Sequence, residues 1–131
     1  MSSDGNGRKA RIAIVDDEKA MVETLKSFLE DRGFSVSAAH DGESGLELIK
    51  REKPDVVILD ITMPKMDGRD VLVQLKKDES TKNIPVIMLT VRSEPFDMDY
   101  GIELGADDYL PKPCEAHRLL KHINSILEKR K

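Results

Sequence analysis

Short apolar runs alternate with segments of helical period along the chain, and nothing else in the sequence limits its fold as much. Ile12-Ala13-Ile14-Val15 is a buried-strand pattern that stops at Asp16-Asp17. Met21, Leu25, Phe28 and Leu29 then recur at helical spacing until Gly33. Phe34 to Ala39 reads as a second strand. Asp41 is placed to cap a helix carrying Leu46 and Ile49, which Pro54 ends. Val56-Val57-Ile58-Leu59 runs directly into Asp60. A loop from Ile61 to Gly68 leads to a helix with Val71, Leu72 and Leu75. Val86-Ile87-Met88-Leu89 ends at Thr90, and Pro95 fits the first turn of a helix closing at Gly105. Tyr109-Leu110 ends near Lys112, and Leu119, Leu120, Ile123, Ile126 and Leu127 mark a last helix. Five strand-then-helix units of this kind predict an α/β fold, a doubly wound five-stranded parallel sheet with five helices.

Composition narrows the setting. At 131 residues, 39% hydrophobic and 35% charged, the chain suits one domain, expected over residues 10–131 behind a disordered tail at residues 1–9. The net charge of -4 gives no basic field for nucleic acid, so no direct nucleic-acid binding is expected. The cluster Glu128-Lys129-Arg130-Lys131 complements the dipole of a last helix, or else begins a linker. A single cysteine, Cys114, excludes an internal disulfide framework and points to a reducing, cytoplasmic setting. No apolar run approaches the ~20 residues of a membrane span, and Met1 to Gly7 has no apolar core for a signal peptide.

Chemistry gathers at the strand ends. In an open parallel sheet, ligands bind beyond the carboxyl ends of the strands. Here those ends carry Asp16-Asp17, Asp60, Thr90 and Lys112. Converging carboxylates repel, and a hard divalent cation such as Mg²⁺ relieves the conflict with oxygen ligands. Phosphorylation of Asp60 as a carboxylate nucleophile replaces one negative charge with roughly two. The cation, Lys112 and Thr90 are suited to receive that charge.

Ile14-Val15-Asp16-Asp17-Glu18, Asp55-Val56-Val57-Ile58-Leu59-Asp60, Met63-Pro64-Lys65-Met66-Asp67-Gly68 and Leu110-Pro111-Lys112-Pro113 together resemble the receiver domain of bacterial two-component response regulators, in its single-domain, chemotaxis-regulator-like form. The separations from Asp60 to Thr90 and from Thr90 to Lys112 also match that family. The resemblance covers about residues 10 to 128 and implies a flavodoxin-like strand order of 2-1-3-4-5. It implies phosphorylation of Asp60 by a sensor histidine kinase or histidine phosphotransfer protein. It implies Mg²⁺ on Asp17, Asp60 and the Thr62 backbone carbonyl, with Asp16 helping through water. Thr90 and Lys112 would contact the phosphoryl group, and Thr90 and Tyr109 would act as the switch. A cis Lys112–Pro113 bond is also implied. The output would be a downstream protein target, engaged through a surface remodelled by phosphorylation. The same surface, the helix from Pro95 to Leu104 with the fifth strand and the last helix, leaves room for a homodimer. Self-directed phosphoryl chemistry of this kind does not make the chain an enzyme on other substrates.

Two positions depart from the pattern: Val91 stands where a small residue is usual, and Cys114 where an aromatic often follows. Val91 is expected at the mouth of the site, where a β-branched side chain slows phosphoryl exchange. His40, His117 and His122 lack ligand spacing and read as surface or packing residues, and Cys114 reads as a small packing residue. Two rival functions remain. One is a phosphorylation-independent interaction module on the same fold. The other is a haloacid-dehalogenase-type phosphatase, whose Asp-x-Thr start Asp60-Ile61-Thr62 superficially matches but which carries that motif on its first strand.

Overall fold

The structure, a computed structural model, describes residues 9–61, 63, 66–91 and 105–129, apart from the side chains of Thr90 and Val91. The tail before Lys9, Thr62, the segment 92–104 expected to hold a helix, and Arg130-Lys131 lie outside the described residues, as does the side-chain placement expected for Val91.

Five strands form one parallel sheet: β1 (Arg11–Val15), β2 (Ser35–Ala39), β3 (Val56–Asp60), β4 (Val86–Val91) and β5 (Asp108–Lys112). Their order is β2-β1-β3-β4-β5, the flavodoxin-like arrangement. Four helices are seen among the described residues: α1 (Lys19–Asp31), α2 (Gly42–Glu52), α3 (Gly68–Lys77) and α4 (Ala116–Lys129).

The strands are apolar at successive positions because both faces of the sheet are covered. Ala13, Val15, Val57, Leu59, Val86 and Met88 point to one side, where Leu46, Ile49, Val71, Leu72 and Leu75 of α2 and α3 meet them. Ile12, Ile14, Val56, Ile58, Ile87 and Leu89 point to the other, against Val22, Leu25 and Leu29 of α1 and Leu119 and Ile123 of α4. Side chains on a strand alternate in direction, so each strand feeds both cores. Of the residues expected on the inner stripe of α1, Leu25 and Leu29 are buried. Met21 and Phe28 are half-buried, and Val22 takes the central place. Phe28 is instead sandwiched at the surface, with the Arg32 guanidinium 4.3 Å from its ring centre and His117 of α4 edge-on at 4.9 Å.

The helix boundaries follow local chemistry. Gly33 adopts φ 92°, a left-handed conformation that glycine reaches without strain, and the chain turns there into β2. Asp41 caps α2, its carboxylate accepting from Ser44 N at 2.8 Å. Asp41→Ala is therefore expected to cost about 1 kcal/mol. Thermal melts followed by far-ultraviolet circular dichroism check this; an unchanged midpoint would mean that water replaces the cap without loss. Asp16 does not cap α1 directly. The N-cap residue is Glu18, whose own side chain makes no cap bond, and Asp16 Oδ1 accepts from Glu18 N at 2.9 Å.

Candidate functional site

The carboxyl ends of β1, β3 and β5 bring the predicted acids and the lysine together. Asp16 follows β1 and is fully buried. Its backbone is held twice: its N–H donates to the Ala39 carbonyl at 3.1 Å, and its carbonyl accepts from His40 Nδ1 at 2.9 Å. That bond fixes a proton on Nδ1, since a carbonyl only accepts. Asp17 follows and is exposed. Asp60 is the last residue of β3 and is 1% exposed.

Behind Asp60 the chain is tightly folded back. Ile61 N donates to the Leu89 carbonyl at 3.1 Å, and Gly68 N donates to the Ile61 carbonyl at 2.8 Å. A Cβ on Gly68 would stand 2.0 Å from the Asp60 carbonyl oxygen, so only glycine fits. Asp67 caps α3 through Arg69 N, and the Arg69 guanidinium returns to the same carboxylate at 2.8 Å. Burial works to raise the Asp67 pKa, but the hydrogen bonds and charge of Arg69 outweigh it and hold it below the ordinary value.

Lys112 ends β5 and extends over the site, its side chain 12% exposed. Its ammonium lies 2.7 Å from Glu18 Oε1, 3.0 Å from Asp16 Oδ2 and 3.2 Å from Asp60 Oδ2. Desolvation acts to lower its pKa. The hydrogen bonds to Glu18 and Asp16 and the charges of Asp16 and Asp60 more than reverse this, so it is held charged, above the ordinary lysine value. The Lys112–Pro113 bond is cis, as the resemblance implies.

Asp16, Asp17 and Asp60 each offer a carboxylate oxygen, and these oxygens lie within 4.8 Å of one another. Lys112 balances only part of that charge. Three hard oxygen donors with a surplus of negative charge, two of them buried, fit a small divalent cation such as Mg²⁺. The Thr62 carbonyl, the fourth expected ligand, lies outside the described residues.

β4 runs between the strands that carry Asp60 and Lys112. Asp60 is in register with Leu89, and Thr90 is in register with Pro111, so the Thr90 backbone sits at the same edge. Tyr109, opposite Met88, is 7% exposed and belongs to the core on the α2–α3 side.

Two site contacts escaped the sequence reading. His40 follows Ala39, which pairs with Val15, so the strand order alone places it beside Asp16. Glu18 stands next to the acid pair in sequence, yet nothing in its spacing indicates that its side chain turns toward Lys112. Of the other histidines, His122 Nδ1 contacts Asp108 Oδ2 and His117 packs on Phe28, so neither belongs to the site. Cys114 is half-buried, and burial raises its thiol pKa, which suits packing and not reactivity.

Known proteins share both sequence and architecture. The family described as response regulator receiver domain matches residues 12–124. The transcriptional regulatory protein CpxR of Escherichia coli (strain K12) is 44% identical over 119 residues, covering 91% of this chain and 50% of that protein. The response regulator MprA of Mycobacterium leprae (strain TN) is 40% identical over 121 residues, covering 92% of this chain and 52% of that protein. The chain thus spans about half the length of the curated relatives it matches. Among solved structures, the receiver domain of the Francisella response regulator 1452 superposes with a TM-score of 0.86 at 31% identity, covering 94% of this chain and 100% of that one.

Proposed function

Since the chain belongs to the family of response regulator receiver domains of two-component signalling, we propose that it is a phosphoryl-accepting switch, with Asp60 as the acceptor. The observation that carries this reading is the Lys112 ammonium held between two buried carboxylates, with a third acid in reach. It supplies a nucleophile, a cation site and a fixed positive charge at one point. The structure sets Asp60 on the third strand in chain order, not the first, which disfavours the haloacid-dehalogenase alternative.

The donor is a phosphohistidine of a sensor histidine kinase or a histidine phosphotransfer protein. An Asp60 oxygen attacks phosphorus from the side opposite the imidazole. The O–P bond forms as the N–P bond breaks, and the imidazole keeps the electron pair and takes a proton from solvent. Lys112 and the Thr90 hydroxyl donate hydrogen bonds to the phosphoryl oxygens. Asp16, Asp17, Asp60 and the Thr62 carbonyl would hold Mg²⁺. When bound, the cation neutralises charge between the acids and the phosphoryl oxygens. Thr90 and Tyr109 then carry the change to a surface that includes β5 and α4, where a downstream protein or a second copy docks. Residues 10–131 form the unit that does this, within the cytoplasm. CpxR is by name a transcriptional regulatory protein, about twice the length of the matched region. Within this chain the switch acts through protein contacts and not by binding nucleic acid directly. No described helix is long and apolar enough to cross a membrane.

Acetyl phosphate with Mg²⁺ tests the assignment. One base- and hydroxylamine-labile phosphoryl group per chain is expected on the peptide carrying Asp60; labelling on another peptide contradicts the acceptor assignment. The cation has its own readout. With Mg²⁺ at ten times its dissociation constant, unfolding should cost about 1.4 kcal/mol more than without it. Calorimetry with and without EDTA measures this, and no shift would remove the cation from the site.

A further inference from the structure

Resting on the reading of Asp60 as the acceptor, we infer that Glu18 is a positioning residue: it holds the Lys112 ammonium in the unphosphorylated state and releases it to the phosphoryl group. Three carboxylates surround that ammonium: Glu18 and Asp16 accept hydrogen bonds from it, and Asp60 faces it as an ion pair. They are not equivalent. The side chains of Asp16 and Asp60 are 0% and 2% exposed, fixed where β1 and β3 end, whereas Glu18 is 60% exposed. Glu18 is also the nearest of the three, at 2.7 Å. Its backbone is pinned by Asp16 Oδ1, and its carboxylate makes no helix-cap bond, so the side chain is directed across the site.

A phosphoryl oxygen on Asp60 draws the Lys112 ammonium toward itself, and the exposed partner is the one best able to give way. Asp16 stays a buried carboxylate and is costly to leave without its cation, the charge of Asp60 passes to the phosphoryl group, and returning the exposed Glu18 to water costs little. The added negative charge also repels Glu18. Glu18 therefore departs, and Asp16 and the phosphoryl group on Asp60 keep the lysine in place. Until then Glu18 restrains Lys112 and competes with the phosphoryl group.

Beryllofluoride, a phosphoryl mimic that needs no donor, tests the exchange at saturating Mg²⁺. Glu18→Gln should tighten its binding roughly two- to fivefold, the scale of an exposed ion pair. In a Lys112→Ala background the same change should have no effect. Equal tightening in both backgrounds would indicate general charge repulsion and overturn the inference, as would no tightening in either. The spectroscopic readout is the Glu18 carboxylate carbon resonance in ¹³C-glutamate-labelled protein. Beryllofluoride should move it to the position of a solvent-exposed glutamate, and a resonance that stays put overturns the inference even if Lys112→Ala folds poorly. Failure of the wild-type chain to bind beryllofluoride at all would overturn the acceptor reading and this one with it. Binding without any response from Glu18 defeats this one alone.

Discussion

Asp60→Asn and, separately, Asp17→Asn are expected to bring Mg²⁺-dependent labelling by acetyl phosphate down to background in a chain that stays folded. The two losses have different causes. An amide at residue 60 has no carboxylate electron pair to attack phosphorus, so the acceptor itself is gone. At residue 17 the nucleophile remains, but one of the three clustered oxygen donors loses its charge. The transition state then forms with an unbalanced cluster, and a loss of at least about a hundredfold follows from removing one such stabilising group. Folding should tolerate both changes. Asp17 is exposed, and an asparagine at 60 keeps an oxygen toward Lys112 while relieving repulsion from Asp16 and Asp17. Label incorporation by intact-mass spectrometry, with melts on the same samples, separates chemistry from folding. Undiminished labelling of Asp17→Asn would defeat the metal assignment, and labelling of Asp60→Asn would place the acceptor elsewhere.

Gly68→Ala is expected to be the most damaging single-methyl change near the site. Its new Cβ would stand 2.0 Å from the Asp60 carbonyl oxygen and 2.8 Å from the Ile61 Cα, both main-chain atoms. A flexible side chain would yield to such an intrusion; the end of a central strand does not. Gly68 is not among the residues of positive φ, so the requirement here is space and not conformational freedom. The cost should reach about 3 kcal/mol, the upper part of the range for overpacking. For a domain of this size that is a fall in melting temperature of roughly 10 °C. Labelling of Asp60 should fall as well, because the β3–α3 loop that closes on it is displaced. A melt within two or three degrees of wild type would show that the loop has room to shift.

Much of this architecture was legible in the residues. Apolar runs such as Val56–Leu59 identify strands covered on both faces, and the polar residues ending several of them mark the edge where the acids and Lys112 gather. Asp16, Asp17, Asp60 and Lys112 could be chosen that way because chemistry at a strand end interrupts a strong periodic signal. Glu18 could not, since which way an exposed glutamate turns is decided by a lysine far along the chain. His40 needed the pairing of β1 with β2, which rests on tertiary packing. Boundaries differ slightly for a related reason: β4 continues to Val91 and β5 begins at Asp108, since ladder pairing carries strands past their apolar centres.

The strand order makes the site mechanically lopsided. Asp60 hangs from β3, flanked on both sides by β1 and β4, while Lys112 hangs from β5, which among the described residues lies at the margin and pairs with β4 alone. A pull between the two therefore meets a stiff anchor at one end and a compliant arm at the other. On the proposed reading, charge arriving at Asp60 would draw the outer strand inward and leave the middle of the sheet where it was. Motion would then be delivered to β5 and to the chain that continues from it into α4.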